Sequence, residues 1–354
     1  MTGDAEGARL DAAQVTALIE GVLTHAGSVP AQAADVARAL TGASLRGVDS
    51  HGLRLLPHYT RALAGGRINP DPRAVIRQTA PATATCDADN GFGHWAGYLA
   101  VTRACALARQ TGVAAISVTN SSHFGAAGAY VLQAAEAGLV AFAFSNSDSF
   151  VLPHDGTQPF HGTNPIAFAA PVAGARPYLL DMATSILPWN RIRDYETKGL
   201  TVPPDVAVDA QGQVATDPRA VAALLPFGGS AYGYKGAGLA GMIEVMSAVT
   251  TGMAHCSRLL HMAGSDMSTP RRLGQCYIVL NPDVFVPRAD FTRGMADYLA
   301  DLRAAPARDG RRVMAPGDRE WAVEAERSRR GIPVNPGLMA ELRGLAEAAG
   351  LEPL

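Results

Sequence analysis

The sequence predicts an α/β protein flanked by helical stretches. Three observations carry that prediction. Between about residues 98 and 170, helix-like segments alternate with short apolar runs. The first 75 residues carry apolar side chains at helical spacing, and after about residue 285 the chain turns polar and helix-like again. Helices alternating with short apolar strands are the pattern of an α/β core. The expected division is residues 1–75, 76–285 and 286–354.

The elements follow in order. Asp11 with Gln14 reads as a capping box, in which each side chain meets the other's backbone N–H. Val15, Leu18, Ile19, Val22 and Leu23 then recur at the spacing of one helix face. Pro30 suits the first turn of a second helix, because its missing N–H would have no partner there. The turn-rich GGRINPDPR closes this helical region. A helix over 98–110 leads into a β-branched strand over 113–119. A helix over 126–137 leads into the apolar run 139–144. Further strands are expected over 165–170, 178–181 and 276–280. The charged stretch 319–330 belongs to the final helical part.

Bulk properties narrow the function. At 354 residues the chain is long enough for two or three subdomains. Its 48% hydrophobic and 18% charged residues exclude a disordered chain. A net charge of -2 gives no reason to expect nucleic acid as a partner. No stretch reaches about 18 uninterrupted apolar residues, so no membrane span is expected. Cys86, Cys105, Cys256 and Cys276 are scattered and form no C-x-x-C pair, which argues against a zinc knuckle or a disulfide framework. The N-terminal MTGDAEGARLDAAQ lacks a basic leader and an apolar run. A reducing cytosol is the expected setting.

Four segments hold polar residues that packing alone explains poorly. In Arg46-Gly-Val-Asp-Ser-His-Gly-Leu-Arg54, His51 and Arg54 are three apart and can share a helix face. A guanidinium there could bind a carboxylate through its planar fork of donors. The competing reading is a solvated helix end. Asn120-Ser-Ser-His-Phe-Gly-Ala-Ala-Gly128 lies between a strand and a helix, where α/β proteins place ligand sites. His123 within it can exchange a proton near neutral pH, or it can simply cap the next helix. From Ser145 to Asp181 the chain carries NSDS, HGTNP and LDMATS. Their hydroxyls and Asn164 suit hydrogen bonds to ribose or phosphate, and Asp181 could orient a catalytic group. Ordinary turn chemistry is the alternative. Gly228-Gly-Ser-Ala-Tyr-Gly-Tyr-Lys-Gly-Ala-Gly238 is either an anion-binding loop with Lys235 or a flexible hinge. It fails the Walker A spacing.

A lookalike is Gly91-Phe-Gly-His-Trp-Ala-Gly97, with glycines spaced roughly like a dinucleotide fingerprint. Its third glycine is one place late, and the preceding ATATCDADN reads as a poor buried strand, so no Rossmann domain is expected. His94, His154, His161, His255 and His261 do not fall at metal-ligand spacing, and no catalytic metal is expected.

The four segments occur in a recognisable order. With RGVDSHGLRLLPHY, SSHFGAAGAYVLQAAEAGLV, GTNPIAFAAP, LDMATS, VDAQGQVATDP, LLPFGG with YGYKGAGL, and LGQCYIVLNP, the chain resembles the malate/L-lactate dehydrogenase family of the second, non-Rossmann type. That family also includes ureidoglycolate, sulfolactate and diketogulonate enzymes and cyclic-imino-acid reductases. The matching stretches span about residues 15–335.

The resemblance implies a non-Rossmann NAD(P)-binding α/β domain over 76–285. Beside it stands a helical domain formed by the two chain ends, 1–75 and 286–354. It implies NAD or NADP as cofactor, a small-molecule carboxylate as substrate and a homodimer. It places the proton-transferring group at His123, and His51 and Arg54 on the substrate with Thr163 and Asn164 as companions. Ser147, Asp181, Met182, Ala183, Lys235 and the turn Pro316, Gly317, Asp318 match positions that line the cofactor. Asp181 would also hold a catalytic group in its productive protonation state. One departure stands out. Many relatives run from the Gly-Gly pair directly into Lys-Gly-Tyr-Gly, whereas here residues 230–234 separate Gly229 from Lys235.

The implied reaction moves a hydride between the cofactor and a 2-hydroxy or 2-oxo acid. The alternative is reduction of cyclic 2-imino acids, which needs the same cofactor and carboxylate clamp. A non-catalytic binding protein would have little reason to carry His51, Arg54, His123, Asp181 and Lys235 together. A serine hydrolase would need the G-x-S-x-G elbow, which is missing.

Overall fold

The computed structural model describes residues 8–354. The first seven residues of the N-terminal stretch read for a leader lie outside the described residues. The chain begins with β1 (Arg9–Leu10), α1 (Ala12–His25), α2 (Pro30–Leu45) and α3 (Leu56–Ala64). The middle runs through β2 (Val75–Ala80), β3 (Thr83–Asp87), α4 (Gly93–Thr111), β4 (Val113–Ser121), α5 (Gly128–Glu136), β5 (Val140–Ser145), β6 (Ile166–Ala170) and β7 (Tyr178–Met182). Then come α6 (Trp189–Thr197), β8 (Ala207–Val208), β9 (Ala223–Leu224), α7 (Gly229–Glu244) and β10 (Leu273–Leu280). The chain ends with α8 (Arg288–Ala304), α9 (Asp318–Arg330), β11 (Ile332–Pro333) and α10 (Pro336–Ala348).

Local chemistry explains where these elements start. Asp11 and Gln14 form the full reciprocal capping box at α1, and Pro30 opens α2. Val15, Leu18, Ile19, Val22 and Leu23 are all buried on one face of α1. Asn335 caps α10 through the Leu338 N–H.

The seven-stranded sheet has the order β2-β3-β4-β10-β5-β6-β7. Strand β10 comes from far along the chain and inserts antiparallel between β4 and β5. Among these pairs only β3 and β4 are parallel, joined by the α4 crossover. A doubly wound sheet is mostly parallel, whereas here one pair alone is, so this mixed sheet is an α/β fold of another kind. Helices α4 and α5 cover it over a core that includes Tyr130, Ile116, Leu139 and Tyr277.

Two sequence expectations are corrected. The segment before GFGHWAG is strand β3. Ala84 and Cys86 point inward while Thr83, Thr85 and Asp87 alternate outward. Its polar residues misled because alternation, not mean hydropathy, marks a half-buried strand. The glycines that follow answer to packing, not to phosphate. A Cβ at Gly93 would collide with the carbonyls of Ser122 and His123. The glycine-rich segment 228–238 is not a loop either. It forms the start of α7, with one non-helical residue at Tyr232.

A second core joins the two chain ends. Strand β1 pairs with β11, and α1, α2 and α3 share a cluster with Met339, Leu342 and Ala346 of α10. Helix α8 behaves differently. It stays with the α/β body, where Ala173 N–H donates to Thr292 O (3.1 Å) and Phe291 and Met295 face Phe168 and Val140.

Candidate active site

A cleft of about 850 Å³ lies where β4, β5 and β7 end and the chain-end helices approach. Its size sits in the upper part of the range for small-molecule and cofactor sites. His51, His123, Ser147, Thr163, Asp181 and Arg191 are among its walls.

His123 follows β4 by two residues, on backbone held against α4. Ser122 Oγ accepts the Gly93 N–H (2.9 Å). The His123 Nδ1 atom lies 2.6 Å from Tyr59 Oη and accepts the Gly125 N–H (3.3 Å). Tyr59 is buried on α3 and also faces His94 Nε2 at 3.5 Å. The His51 and His123 rings stack, with centroids 5.7 Å apart and planes 14° apart. Ser50 Oγ lies 2.8 Å from His51 Nδ1.

These imidazoles are neutral at ordinary pH. Burial, reinforced by the Arg54 charge, presses His51 to about 4. Burial presses His94 to about 3. His123 is held well below its ordinary value, by burial first and then by its histidine neighbours and Arg271. Desolvation disfavours the charged form of a histidine, which is the cause in each case. Asp181 moves the other way. Desolvation within the cleft raises it to about 6, against the lowering effects of the Gly128 N–H and the Arg46 charge.

His51 and Arg54 do not share a helix face. Residues 49–51 and 53–55 form separate 3-10 turns, broken at Gly52. Gly52 sits so close to Ser44 that a Cβ would collide with the Ser44 hydroxyl. The break sends His51 to the cleft and Arg54 to Asp194, 3.6 Å away. Arg191 approaches the same carboxylate at 3.7 Å.

The remaining residues divide between wall and support. Ser147 Oγ and Thr163 Oγ1 are 3.1 Å apart on the cleft wall, and Met182, Ala183, Pro316 and Gly317 also line it. Asn164 lies beneath, fully buried. It accepts the Ser147 N–H (3.1 Å) and donates to Glu244 (3.1 Å). Asp318 faces away. It accepts the Ala315 N–H (2.9 Å) and pairs with Arg303 (2.7 Å). Lys235 is exposed on α7, its Nζ 5.5 Å from the Tyr232 ring centre. Residues 230–234 before it lie within α7, Tyr232 being non-helical. Asp181 accepts the Gly128 N–H at the start of α5 (2.8 Å), while the partner of His123 is Tyr59.

Tyr59, His94 and Glu244 were missed from sequence. Tyr59 ends the stretch RGVDSHGLRLLPHY, so a signal was present. His94 stands in the GFGHWAG lookalike, where neither glycine spacing nor metal-ligand spacing marks it. Glu244 binds both Asn146 (3.2 Å) and Asn164 from a distant helix, and nothing in local spacing announces that. Among the described residues, no group of three or more His, Cys, Asp or Glu could hold a metal ion.

Comparison with known proteins fits this geometry. Residues 10–343 match the family described as malate/L-lactate dehydrogenase. The chain is 35% identical to ureidoglycolate dehydrogenase (NAD(+)) of Escherichia coli, over 90% of each chain. It is 32% identical to a Delta(1)-pyrroline-2-carboxylate/Delta(1)-piperideine-2-carboxylate reductase of Pseudomonas putida, over 97% of each. Malate dehydrogenase of Entamoeba histolytica superposes with a TM-score of 0.93 at 29% identity, covering 98% of this chain and 99% of that one. The seven-stranded mixed sheet, the paired imidazoles on its cleft and the match along nearly the whole chain together show that the protein belongs to the malate/L-lactate dehydrogenase family of nicotinamide-dependent oxidoreductases.

Proposed function

We propose that the protein transfers a hydride between NAD or NADP and a small 2-hydroxy or 2-oxo acid, with His123 as its proton-transferring group. The observation that carries this reading is the bonding of His123. Its Nδ1 is already engaged by Tyr59 and Gly125, which leaves Nε2 for a substrate. A neutral imidazole can polarise a carbonyl through its N–H, as in triosephosphate isomerase. His51, stacked beside it, offers a second hydrogen bond to the substrate oxygen. Arg54 and Arg191, on either side of Asp194, supply the positive charge that a substrate carboxylate needs.

The cleft suits the cofactor by the chemistry of its walls. Backbone at 125–128 carries small side chains only, which leaves room for the cofactor against this part of the wall. Ser147 and Thr163 offer hydroxyls, and Asp181, Met182, Ala183, Pro316 and Gly317 complete the wall. Nicotinamide supplies the hydride in reduction and takes it in oxidation. Asn164 supports Ser147 from below. Lys235 and Asp318 would be outer contacts, since neither is on the wall.

A second reading is reduction of cyclic 2-imino acids, favoured by the similarity to the Pseudomonas putida reductase. A panel of 2-hydroxy acids, 2-oxo acids and cyclic imino acids, followed at the nicotinamide absorbance with each cofactor, separates the two. Turnover confined to imino acids would overturn the first reading, and no turnover with any of them would overturn both.

We also propose a homodimer in the cytoplasm, each chain built from the α/β region 76–285 and a chain-end region of 1–75 with 286–354, of which α8 packs on the α/β region instead. Met242, Val245 and Val249 are exposed along one helical stretch, an apolar surface of the kind that marks protein contacts. Four buried free cysteines suit a reducing compartment. Light scattering at assay concentration is expected to give twice the chain mass of 36.8 kDa. A fully active monomer would rule out a required dimer.

A further inference from the structure

We propose that His94 is a positioning residue which, through Tyr59, holds His123 as the tautomer with its proton on Nε2. This rests on the reading of His123 as the proton-transferring group. His94 belongs to the GFGHWAG segment, to which neither cofactor nor substrate gives a role. It sits at the start of α4 with 0% of its surface exposed. Its ring stands edge-on to Tyr59, centroids 5.0 Å apart and planes at 89°.

Counting donors assigns each proton. The Gly125 N–H can only donate, so the His123 Nδ1 that it meets carries a lone pair. A neutral imidazole with a bare Nδ1 has its hydrogen on Nε2. Tyr59 has one hydroxyl proton, and at 2.6 Å it goes to that Nδ1. Tyr59 Oη is then an acceptor on its other side, where His94 Nε2 stands at 3.5 Å. The fitting tautomer of His94 puts its N–H there. Its Nδ1 is buried with no partner, and as a bare lone pair it costs less than a buried unpartnered N–H. The opposite tautomer of His94 would bury that N–H and set two lone pairs against each other.

The result is a directed chain. His94 N–H points to Tyr59, Tyr59 O–H points to His123, and His123 Nε2–H is directed into the cleft. In reduction, hydride forms the new C–H bond as the carbonyl π pair takes the Nε2 proton. Nδ1 takes up the Tyr59 proton in the same step, so the imidazole stays neutral; a solvent proton then enters at Nε2 from the cleft as Nδ1 returns its proton to Tyr59, which restores the starting tautomer. Burial holds the Tyr59 hydroxyl well above its ordinary value, with the Arg271 charge opposing, so the phenolate lasts only until that proton returns.

The test reads the tautomer directly. In protein labelled with nitrogen-15 histidine, long-range proton–nitrogen spectra distinguish Nε2–H from Nδ1–H. His123 is identified by the signals lost in His123→Asn. The expected result is Nε2–H in the wild type and in His94→Gln, whose amide keeps a donor. A mixture of tautomers is expected in His94→Leu and in Tyr59→Phe. In parallel, His94→Leu is expected to lose about tenfold in kcat, the worth of one hydrogen bond, with KM for acid and cofactor unchanged and His94→Gln near wild type. An Nδ1–H wild type, or an unchanged tautomer in folded His94→Leu and Tyr59→Phe, overturns the proposal. Should His94→Leu not fold, Tyr59→Phe decides. The two readings fail separately. If His123→Asn keeps its turnover, the catalytic reading falls whatever the spectra show. If it loses turnover while the tautomer ignores His94, only the positioning falls.

Discussion

His123 and Arg54 stand on opposite footing at the scale of single residues. His123 has fixed partners on one nitrogen and lines the cleft with the other free. His123→Asn is expected to lose about 100- to 10,000-fold in kcat, the usual worth of general acid–base catalysis, with cofactor affinity nearly intact. Steady-state kinetics and a cofactor titration check this; near-normal kcat removes His123 from the mechanism. Arg54 is held by Asp194 in the free protein. If it receives a substrate carboxylate, Arg54→Lys is not conservative, because lysine lacks the planar fork. A fall of about tenfold to a few hundredfold in kcat/KM is then expected for the acid, and little further loss for its uncharged amide. Equal losses for acid and amide would show that Arg54 only anchors Asp194.

At the scale of elements, the site depends on close approach between α4 and the end of β4. Gly93 makes that approach possible, since any Cβ there meets the backbone at Ser122 and His123. Gly93→Ala is expected to cost about 1–3 kcal/mol, the range for overpacking a filled site, and to lower kcat by shifting His123. Denaturant unfolding and kinetics on one preparation test the pair of effects. Full stability with full activity would mean that the helix slides without consequence. The elements most legible in the sequence were those with their own local signal: the capped α1, the Pro-started α2, and the apolar strands β4, β5 and β6. Strand β3 was hidden by its polar outward face. The start of α7 was hidden by its glycines, which weaken a helix without forbidding it when packing holds it.

For the whole molecule, the buried imidazoles set a dependence on pH. His51 and His58 are pressed to about 4 and His94 to about 3, all mainly by burial. In the unfolded chain they would titrate near 6.5. Below that value the unfolded state binds more protons than the folded one, so stability falls with pH. Their contribution is complete above about 6.5 and is lost progressively toward about 4 and then 3. The melting temperature is therefore expected to drop steadily from pH 7 to pH 4, with a smaller drop in His94→Gln. A flat profile would contradict the neutral burial of these rings. Asp181, raised to about 6, acts oppositely. Its penalty grows as pH rises from about 4 to 6 and partly offsets the histidine gain there.

The sequence alone determined the α/β class and the family, and it pointed to several residues that line the cleft, among them His51, His123, Ser147 and Asp181. These are carried by short-range signals: alternation of periods, caps, and motifs such as LDMATS and SSHFGAAGAY whose residues act near where they are written. Only the tertiary structure decided which side chains meet. It placed β10 between β4 and β5, put Tyr59 and His94 behind His123, and set Glu244 under Asn146 and Asn164. It also turned Arg54, Lys235 and Asp318 off the cleft wall, where spacing and motif had put them near the ligands. The physical reason is that spacing predicts contact only within one continuous element. A break such as the one at Gly52 rotates a side chain away, and contacts between distant segments are chosen by the packing of the whole core.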